Sequence, residues 1–368
     1  MRKLLDELVR FEWRIMFTVP FIALEVDTSW SRLLEAYIAL ARTYYVLCIA
    51  FGALAFIPNA VAEKLPRIVQ VLRNVLNNSV GRGKTYDERG ARELGSSYGS
   101  ALVRRLLSAS VPKRWFSHLY HVAVCCNLLG LLLLLASASC LPEPTSVSRI
   151  LSSVGHRHTL VALSLLQFHV TRRLLENYFV HAHSEGGRMQ LVGYAFGLLY
   201  YVFLPANFVT PEVVRNASLD LLAGGSGACD LRNAFQRMGG FFIDPHPAKE
   251  ISLLAIFFLG NLAQYQCHAS LASLRRPGGR GKGKASGEKY KIPQGFWFTY
   301  CSSPHYTAEV VLYVALITLS DSWGISTFLL MTMVLMNLGL SATMTQRWYL
   351  DKFEDYPKRR WAMIPGIF

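Results

Sequence analysis

The sequence predicts an all-α fold: a polytopic membrane bundle of about seven transmembrane helices, forming a single domain over 1–368. Three observations carry that prediction. Charged residues make up only 17% of the chain and hydrophobic residues 52%, whereas a soluble domain is about one quarter charged. Several apolar runs reach the ~20 residues that carry a helix across a bilayer. The basic residues gather in a few segments between those runs.

The first segment, 1–30, contains a stretch (4–24) that mixes Leu, Phe, Trp and Ile with Glu7, Arg10, Glu12 and Arg14. That mixture suits a helix lying in the membrane interface. The same charges interrupt any apolar core, so it makes a poor signal peptide. Seven spans follow, near 33–57, 116–137, 159–181, 189–209, 250–271, 304–320 and 323–345. The first holds Glu35 and Arg42, whereas the run around Leu128–Leu135 carries no charge.

The segments between spans set the orientation. Basic residues concentrate in 58–115, in the segment from Arg275 to Lys291, and in the tail from Arg347 to Arg360. With seven spans these three regions share one side, and the positive-inside rule makes it cytosolic. The 58–115 segment is therefore expected as a cytosolic loop and the C-terminus as cytosolic. The opposite loops, 138–158 and 210–249, hold few basic residues; the second contains the glycosylation acceptor Asn216-Ala-Ser218. Asn77-Asn-Ser79 would be cytosolic and unused. Loop orientation and attraction to anionic membrane lipid account for most of the net charge of +14. A minority of these residues would hold a ligand's phosphates. No basic and aromatic module of a nucleic-acid-binding type is present, so no nucleic-acid partner is expected.

Several chemistries are excluded or left without support. Seven cysteines are scattered with no C-x-x-C pair, which removes zinc ribbons. Cys140 and Cys229 both fall on the lumenal side, and their pairing stays open. Gly278-Gly-Arg-Gly-Lys-Gly283-Lys284 fits part of a phosphate loop, but Ala285 stands where Ser or Thr would hold magnesium. His156-x-His158 and His181-x-His183 lack a Cys or carboxylate partner at ligand spacing, so no metal is expected.

Polar residues at membrane depth are costly and mark function or helix contact. The third span reads His169-Val-Thr-Arg172-Arg173-Leu-Leu-Glu176, with Arg172 and Glu176 four apart on a helix. The fifth ends in Gln264-Tyr-Gln-Cys-His268, and Arg275 continues the face of Gln264 and His268. The sixth opens with His305 and Glu309, again four apart. Three cytosol-facing helix ends thus offer His, Glu and Arg at a common level, which points to a polar ligand held in the bundle. The tail from Tyr349 to Phe368 interleaves Phe353, Tyr356 and Trp361 with Lys358, Arg359 and Arg360. A disordered segment would not need those aromatics, and the three basic residues suit phosphate.

These motifs resemble the steroid 5-alpha-reductase family. The resemblance rests on Leu274-Arg275, Tyr290-Lys-Ile-Pro-Gln-Gly295, Phe298-Thr-Tyr300, Glu309 and the closing segment. Within that family the chain is most similar to the polyprenol (polyprenal) reductase branch, through Gly83-Lys84-Thr85, Val111 to Tyr120, His169 to Glu176 and Gln264 to His268. The resemblance implies a seven-helix membrane fold, NADPH as cofactor, a cofactor-binding half at 250–368, and residence in the endoplasmic reticulum membrane. The reaction it implies is reduction of the α,β double bond of polyprenal, in the conversion of polyprenol to dolichol that supports protein N-glycosylation. It also implies a polyprenyl lipid substrate. By motif, the cofactor positions would be Gln264, His268, Arg275, Tyr290, Lys291, His305, Glu309, Tyr349 and Arg360. His305 stands where steroid reductases carry Asn, and Met344-Thr-Gln346 replaces a His run. Ser117-His-Leu-Tyr120 stands where steroid reductases place a glutamine–glutamate pair, which bears against steroid binding.

The chemistry is consistent with that branch. Hydride adds to an alkene only if the double bond is electron-poor, as in the conjugated aldehyde. Charge then develops on the carbonyl oxygen, so an oxyanion stabiliser and a proton donor are required. His118, Tyr120 and His169 are the candidates for those roles, with Glu176 completing the catalytic set; His118 is expected to act on the aldehyde. Three alternatives stay open: a steroid-type enone reductase of the same superfamily, an isoprenylcysteine methyltransferase, and a non-enzymatic transporter. A transporter would often show paired repeats of spans, and none is visible.

Overall fold

The structure is a computed structural model that describes residues 29–80, 108–139, 147–181, 186–209, 247–275 and 290–368. The predicted interfacial helix within 1–30, Asn216, Cys140, Cys229 and the glycine-rich 278–284 run lie outside the described residues. The fold is helical, with one helix at each predicted span. These are α1 (Ser29–Ala55), α3 (Phe116–Ser139), α4 (Val147–Phe179), α5 (Leu191–Phe203), α6 (Pro247–Ser273), α7 (Pro304–Leu319) and α8 (Ile325–Lys352). Between the first two of these, α2 (Arg67–Val80) occupies part of the stretch that the sequence leaves as a loop.

Among the described residues, three helices are long and apolar enough to cross a membrane: Arg32–Ala55, Lys113–Leu135 and Ile325–Lys352. The others differ for identifiable reasons. The 13 residues of α5 extend only about 20 Å, short of the ~30 Å hydrocarbon core. At 16 residues, α7 is also short. Both α4 and α6 are long, but α4 carries Arg172, Arg173 and Glu176, and α6 carries Glu250 and several uncharged polar residues.

A two-stranded antiparallel ladder organises one end of the bundle. Strand β1 (Ser110–Pro112) pairs with β2 (Arg188–Gln190), setting Val111 against Met189. Each strand runs directly into a helix, β1 through one 3-10 turn into α3 and β2 into α5. The ladder therefore starts α3 and α5 at one level. The side chain of Gln190 caps α5 by accepting from the Gly193 N–H at 3.3 Å.

Helix α6 packs along α7, α3 along α4, and α1 along α8. Glycine permits close approach in two of these pairings: a Cβ on Gly52 of α1 would sit 3.0 Å from Met336 Cε of α8, and one on Gly260 of α6 would sit 3.1 Å from Leu312 Cδ2 of α7. The buried core centres on Tyr45, Leu163, Phe208, Phe257, Ile317 and Leu330. Leu132, Leu259 and Phe328 are exposed on the outside of the bundle, an arrangement suited to an apolar solvent.

After α8 the chain turns back. The Trp361 N–H donates to the Tyr300 carbonyl at 3.0 Å, and the Ser302 N–H donates to the Trp361 carbonyl at 2.8 Å. The Thr307 hydroxyl donates to the Met363 carbonyl at 2.6 Å. The Phe368 ring reaches Gly339 of α8, 3.6 Å from where a Cβ would be. The tail thus joins the start of α7 to the last turns of α8.

Candidate active site

The bundle encloses a cavity of about 450 Å³, and its two ends differ in chemistry. One end is lined by Arg173, Gln264, His268, Arg275, His305 and Glu309, the other by Cys48, Phe51, Phe196, Gly197, Met333 and Met336. Two of the lining residues are exposed. Arg275, just beyond α6, is exposed among the polar set. Phe196, 37% exposed on α5, is exposed among the apolar set. On α1, Tyr44 donates to the Phe196 carbonyl at 2.7 Å and Tyr37 donates to the Val202 carbonyl. The α1–α5 seam is therefore fastened below the stretch where Cys48, Phe51 and Gly52 line the cavity.

The polar end is built on α4, α6 and α7. Arg172 and Arg173 both engage Glu176, Arg173 at 2.5 Å. Arg172 Nε also donates to Asn261 Oδ1 at 2.8 Å, and its Nη2 donates to Gln264. Gln264 in turn donates to Glu309, whose other oxygen lies 3.5 Å from His169 Nε2. His268 Nδ1 lies 2.7 Å from Arg173 Nη1 and 2.8 Å from Glu176 Oε2, so either tautomer finds a partner. Two guanidiniums and two carboxylates balance within the network. Each is therefore a paired buried charge, and removing one partner from such a pair typically costs about 3–5 kcal/mol.

Tyr120 stands where the network meets the apolar end. Its hydroxyl oxygen accepts from Arg173 Nη2 at 2.7 Å, and its ring packs against Phe116 and Tyr201. That acceptor role leaves the Tyr120 O–H proton for another partner. Next to it, the hydroxyls of Tyr200 on α5 and Tyr313 on α7 lie 2.5 Å apart. All four tyrosines line the cavity.

The tail supplies a further layer behind the polar end. Tyr349 lines the cavity and stacks on Tyr356, with ring centroids 5.0 Å apart and planes at 5°. The Arg360 guanidinium lies 5.2 Å from the Tyr356 ring centroid, and its Nη1 donates to the Pro293 carbonyl at 2.9 Å. Gly295 holds φ at 76°, a conformation open to glycine, in the turn that brings Pro293 there.

Comparison with known proteins converges on one family. The family pattern described as 3-oxo-5-alpha-steroid 4-dehydrogenase matches residues 241–368. The chain is 31% identical over 358 residues to polyprenal reductase 1 of Oryza sativa subsp. indica, covering 88% of this chain and 97% of that protein. The chain belongs to the polyprenal reductase branch of the steroid 5-alpha-reductase family. It is accordingly an oxidoreductase of the kind that acts on CH–CH groups. Polyprenal reductase 1 of Arabidopsis thaliana is 33% identical over 275 residues, 70% of this chain and 82% of that protein. The Mus musculus polyprenal reductase is 29% identical over 282 residues, 70% of this chain and 79% of that protein.

In this reductase, Tyr120, Gln264, His268, Arg275, His305, Glu309 and Tyr349 line the cavity. His169 and Glu176 are buried in the network behind it. His118 faces away, with its Nδ1 at 2.9 Å from the Tyr194 hydroxyl. Tyr290 packs on Trp348, and Lys291 is partly buried next to Ile292, so both belong with Arg360 in the layer behind Tyr349.

Sequence reasoning missed Asn261 as a functional residue, although it continues the Gln264 face one turn earlier. It also gave Arg173 no role of its own. Tyr200 and Tyr313 gave no sequence signal, because a tyrosine in an apolar run reads as an interfacial aromatic. Glu176, His181 and His268 offer ligand atoms within 4.8 Å of one another, a geometry a cation could use. Both Glu176 oxygens already receive guanidinium protons, however, so any cation there would face two positive charges.

Proposed function

We propose that this reductase uses NADPH to saturate the double bond next to the carbonyl of polyprenal, supplying the dolichol that protein N-glycosylation needs. It does so as a seven-span protein of the endoplasmic reticulum membrane, with polyprenyl and membrane lipid as its partners and its cofactor face and C-terminus in the cytosol. The observation that carries the reading is a cavity lined by one polar and one apolar set of residues. The polar set, with Arg275 exposed beside it, suits a nucleotide, and the apolar set, with Phe196 exposed on α5, suits an isoprenoid tail.

The residues fit a dinucleotide. The Arg360 Nε is buried with no hydrogen-bond partner among the described residues, an orphan donor suited to an anionic group. Arg275 and Arg360 would take phosphate oxygens, with Lys291 and Tyr290 beside them. Gln264, His268, His305, Glu309 and Tyr349 would hold the nicotinamide end. When bound, the reduced nicotinamide supplies the hydride.

The protein's own contribution centres on Tyr120. Arg173 holds its hydroxyl oxygen, so the hydroxyl proton is aimed away from Arg173 and available to the aldehyde oxygen. Negative charge developing on that oxygen would meet a donor oriented in advance. Arg173 is itself fixed by Glu176 and next to His268, which makes Glu176 and His268 positioning residues for the donor. His169 acts one step further back, through Asn261 and Glu309.

A steroid reading draws support from the description of the matching family pattern. Against it, the start of α3 carries Ser117-His-Leu-Tyr120, with no carboxylate to grip a ketone. Purified protein should oxidise NADPH with polyprenal and give little or no turnover with a 3-keto-4-ene steroid. Efficient steroid reduction with no polyprenal reduction would reverse the substrate assignment.

A further inference from the structure

Reduction of a conjugated aldehyde needs two different hydrogen-bonding acids. One meets the carbonyl oxygen, and the proposed function gives that role to Tyr120. The other must deliver a proton to the α carbon, two bonds away from that oxygen. The cavity is lined by several groups with a proton to give, among them His181, His268, His305 and its tyrosines. The carboxylates of Glu176 and Glu309 are ion-paired acceptors, and the guanidiniums do not release protons at any ordinary pH.

The Tyr200–Tyr313 pair is different. The two hydroxyls lie 2.5 Å apart, and no other hydrogen-bond partner of either is present among the described residues. Two hydroxyls hold two protons, and their mutual bond uses one. The second has no acceptor among the described residues, although both side chains line the cavity. Leaving a buried donor unmatched is costly, so the pair is built for a partner that is not part of the protein. Tyr313 also lies one helical turn beyond Glu309 on α7, and Tyr200 adjoins Tyr201, whose ring packs on Tyr120.

We propose that the Tyr200–Tyr313 hydroxyl pair is the general acid that protonates the α carbon. Hydride addition at the β carbon leaves the alkene electron pair as an enolate, with its oxygen hydrogen-bonded to Tyr120. The enolate C=C pair then forms the α C–H bond with a proton from one tyrosine, that tyrosine's O–H bond breaks, and the carbonyl reforms. The phenolate left behind accepts a hydrogen bond from the other hydroxyl, a charge-assisted contact that lowers the cost of losing the proton. Water restores the proton when the saturated aldehyde departs. Tyr201 lacks such a neighbour for its own phenolate.

This inference rests on the reading of the protein as an NADPH-dependent polyprenal reductase, and the experiment separates the two. Purified wild type, Y200F, Y313F and the double variant Y200F/Y313F are compared with NADPH and polyprenal. Removing both hydroxyls leaves no unmatched polar group, so the double variant should unfold near the wild-type Tm and bind NADPH as wild type does. Its kcat should fall by about a hundredfold or more, with little change in KM, because general acids contribute about 10²–10⁴-fold. Each single variant should show a larger solvent isotope effect on kcat than wild type. A double variant that turns over within threefold of wild type overturns the general-acid role and leaves the reductase reading intact. A double variant that loses NADPH binding, or unfolds far below wild type, shows the pair to be a strut and equally overturns the proposal. Wild type inert toward polyprenal removes the underlying reading, and the proposal with it.

Discussion

His118 and Tyr120 are two residues apart, and on a helix that spacing turns them to nearly opposite faces. Sequence reasoning grouped them because both sit near the start of one span. The structure sends Tyr120 to the cavity and His118 to Tyr194. Tyr120→Phe should lower kcat by about 10²–10³-fold, the usual cost of losing an oxyanion donor, with nucleotide affinity kept. His118→Ala should leave the KM for polyprenal within about threefold, since its lost hydrogen bond lies outside the cavity; a large rise in that KM would return His118 to the site. Cys301 makes a separate test, of burial. Desolvation pushes its thiol up to about 11, partly offset by the positive charge of Arg360. At pH 8 only about one such thiol in a thousand is thiolate, so maleimide should label Cys301 in the folded protein far more slowly than in denaturant. The pair four apart, Arg172 with Glu176, was legible because helical spacing alone makes such residues neighbours. The Tyr200–Tyr313 contact was not, because it depends on how α5 packs against α7.

At the scale of elements, run length and apolarity located a helix at each of the seven stretches, but α4 begins at Val147 rather than near 159, α5 ends at Phe203 rather than near 209, and α8 runs on to Lys352 past 345. The helix missed was α2. Its Ile68, Leu72, Val75 and Leu76 recur at helical spacing, but eleven basic residues between 58 and 115 masked that pattern. Charge also makes α4 dependent on its neighbours. A central Arg costs about 2.5–3.5 kcal/mol on insertion scales, and α4 carries four Arg, of which Arg172 and Arg173 are matched by Glu176 within the helix and Arg172 also by Asn261 and Gln264 on α6. In a single-helix insertion reporter, α3 should therefore insert well and α4 poorly. Glu176→Gln would leave both guanidiniums without a carboxylate in contact among the described residues and should destabilise the protein by about 3–5 kcal/mol, read as a lower Tm in detergent.

For the whole molecule, the legible part was the class of protein and the gathering of charged groups from three helices. The cavity was not legible, because its walls come from helices far apart in sequence, from α1 to α8. Orientation is open to direct measurement. In sealed right-side-out microsomes, protease should reach the 58–115 segment and the C-terminus, and Asn216 should acquire glycan. Protection of the C-terminus would strand the proposed nucleotide-binding face away from its cytosolic supply. Arg360→Ala should raise the KM for NADPH several-fold before it affects expression; unchanged nucleotide dependence would remove Arg360 from that face. The fold-back of the tail has a further consequence, for how the protein is made. Tyr349 lines the cavity and Arg360 braces the layer behind it, yet both leave the ribosome after the rest of the bundle. Translating residues 349–368 takes about one to four seconds. Until that segment emerges, the nascent bundle is membrane-inserted but has no complete nucleotide wall. A stop codon as late as position 349 should therefore yield a protein that integrates into the membrane and catalyses nothing.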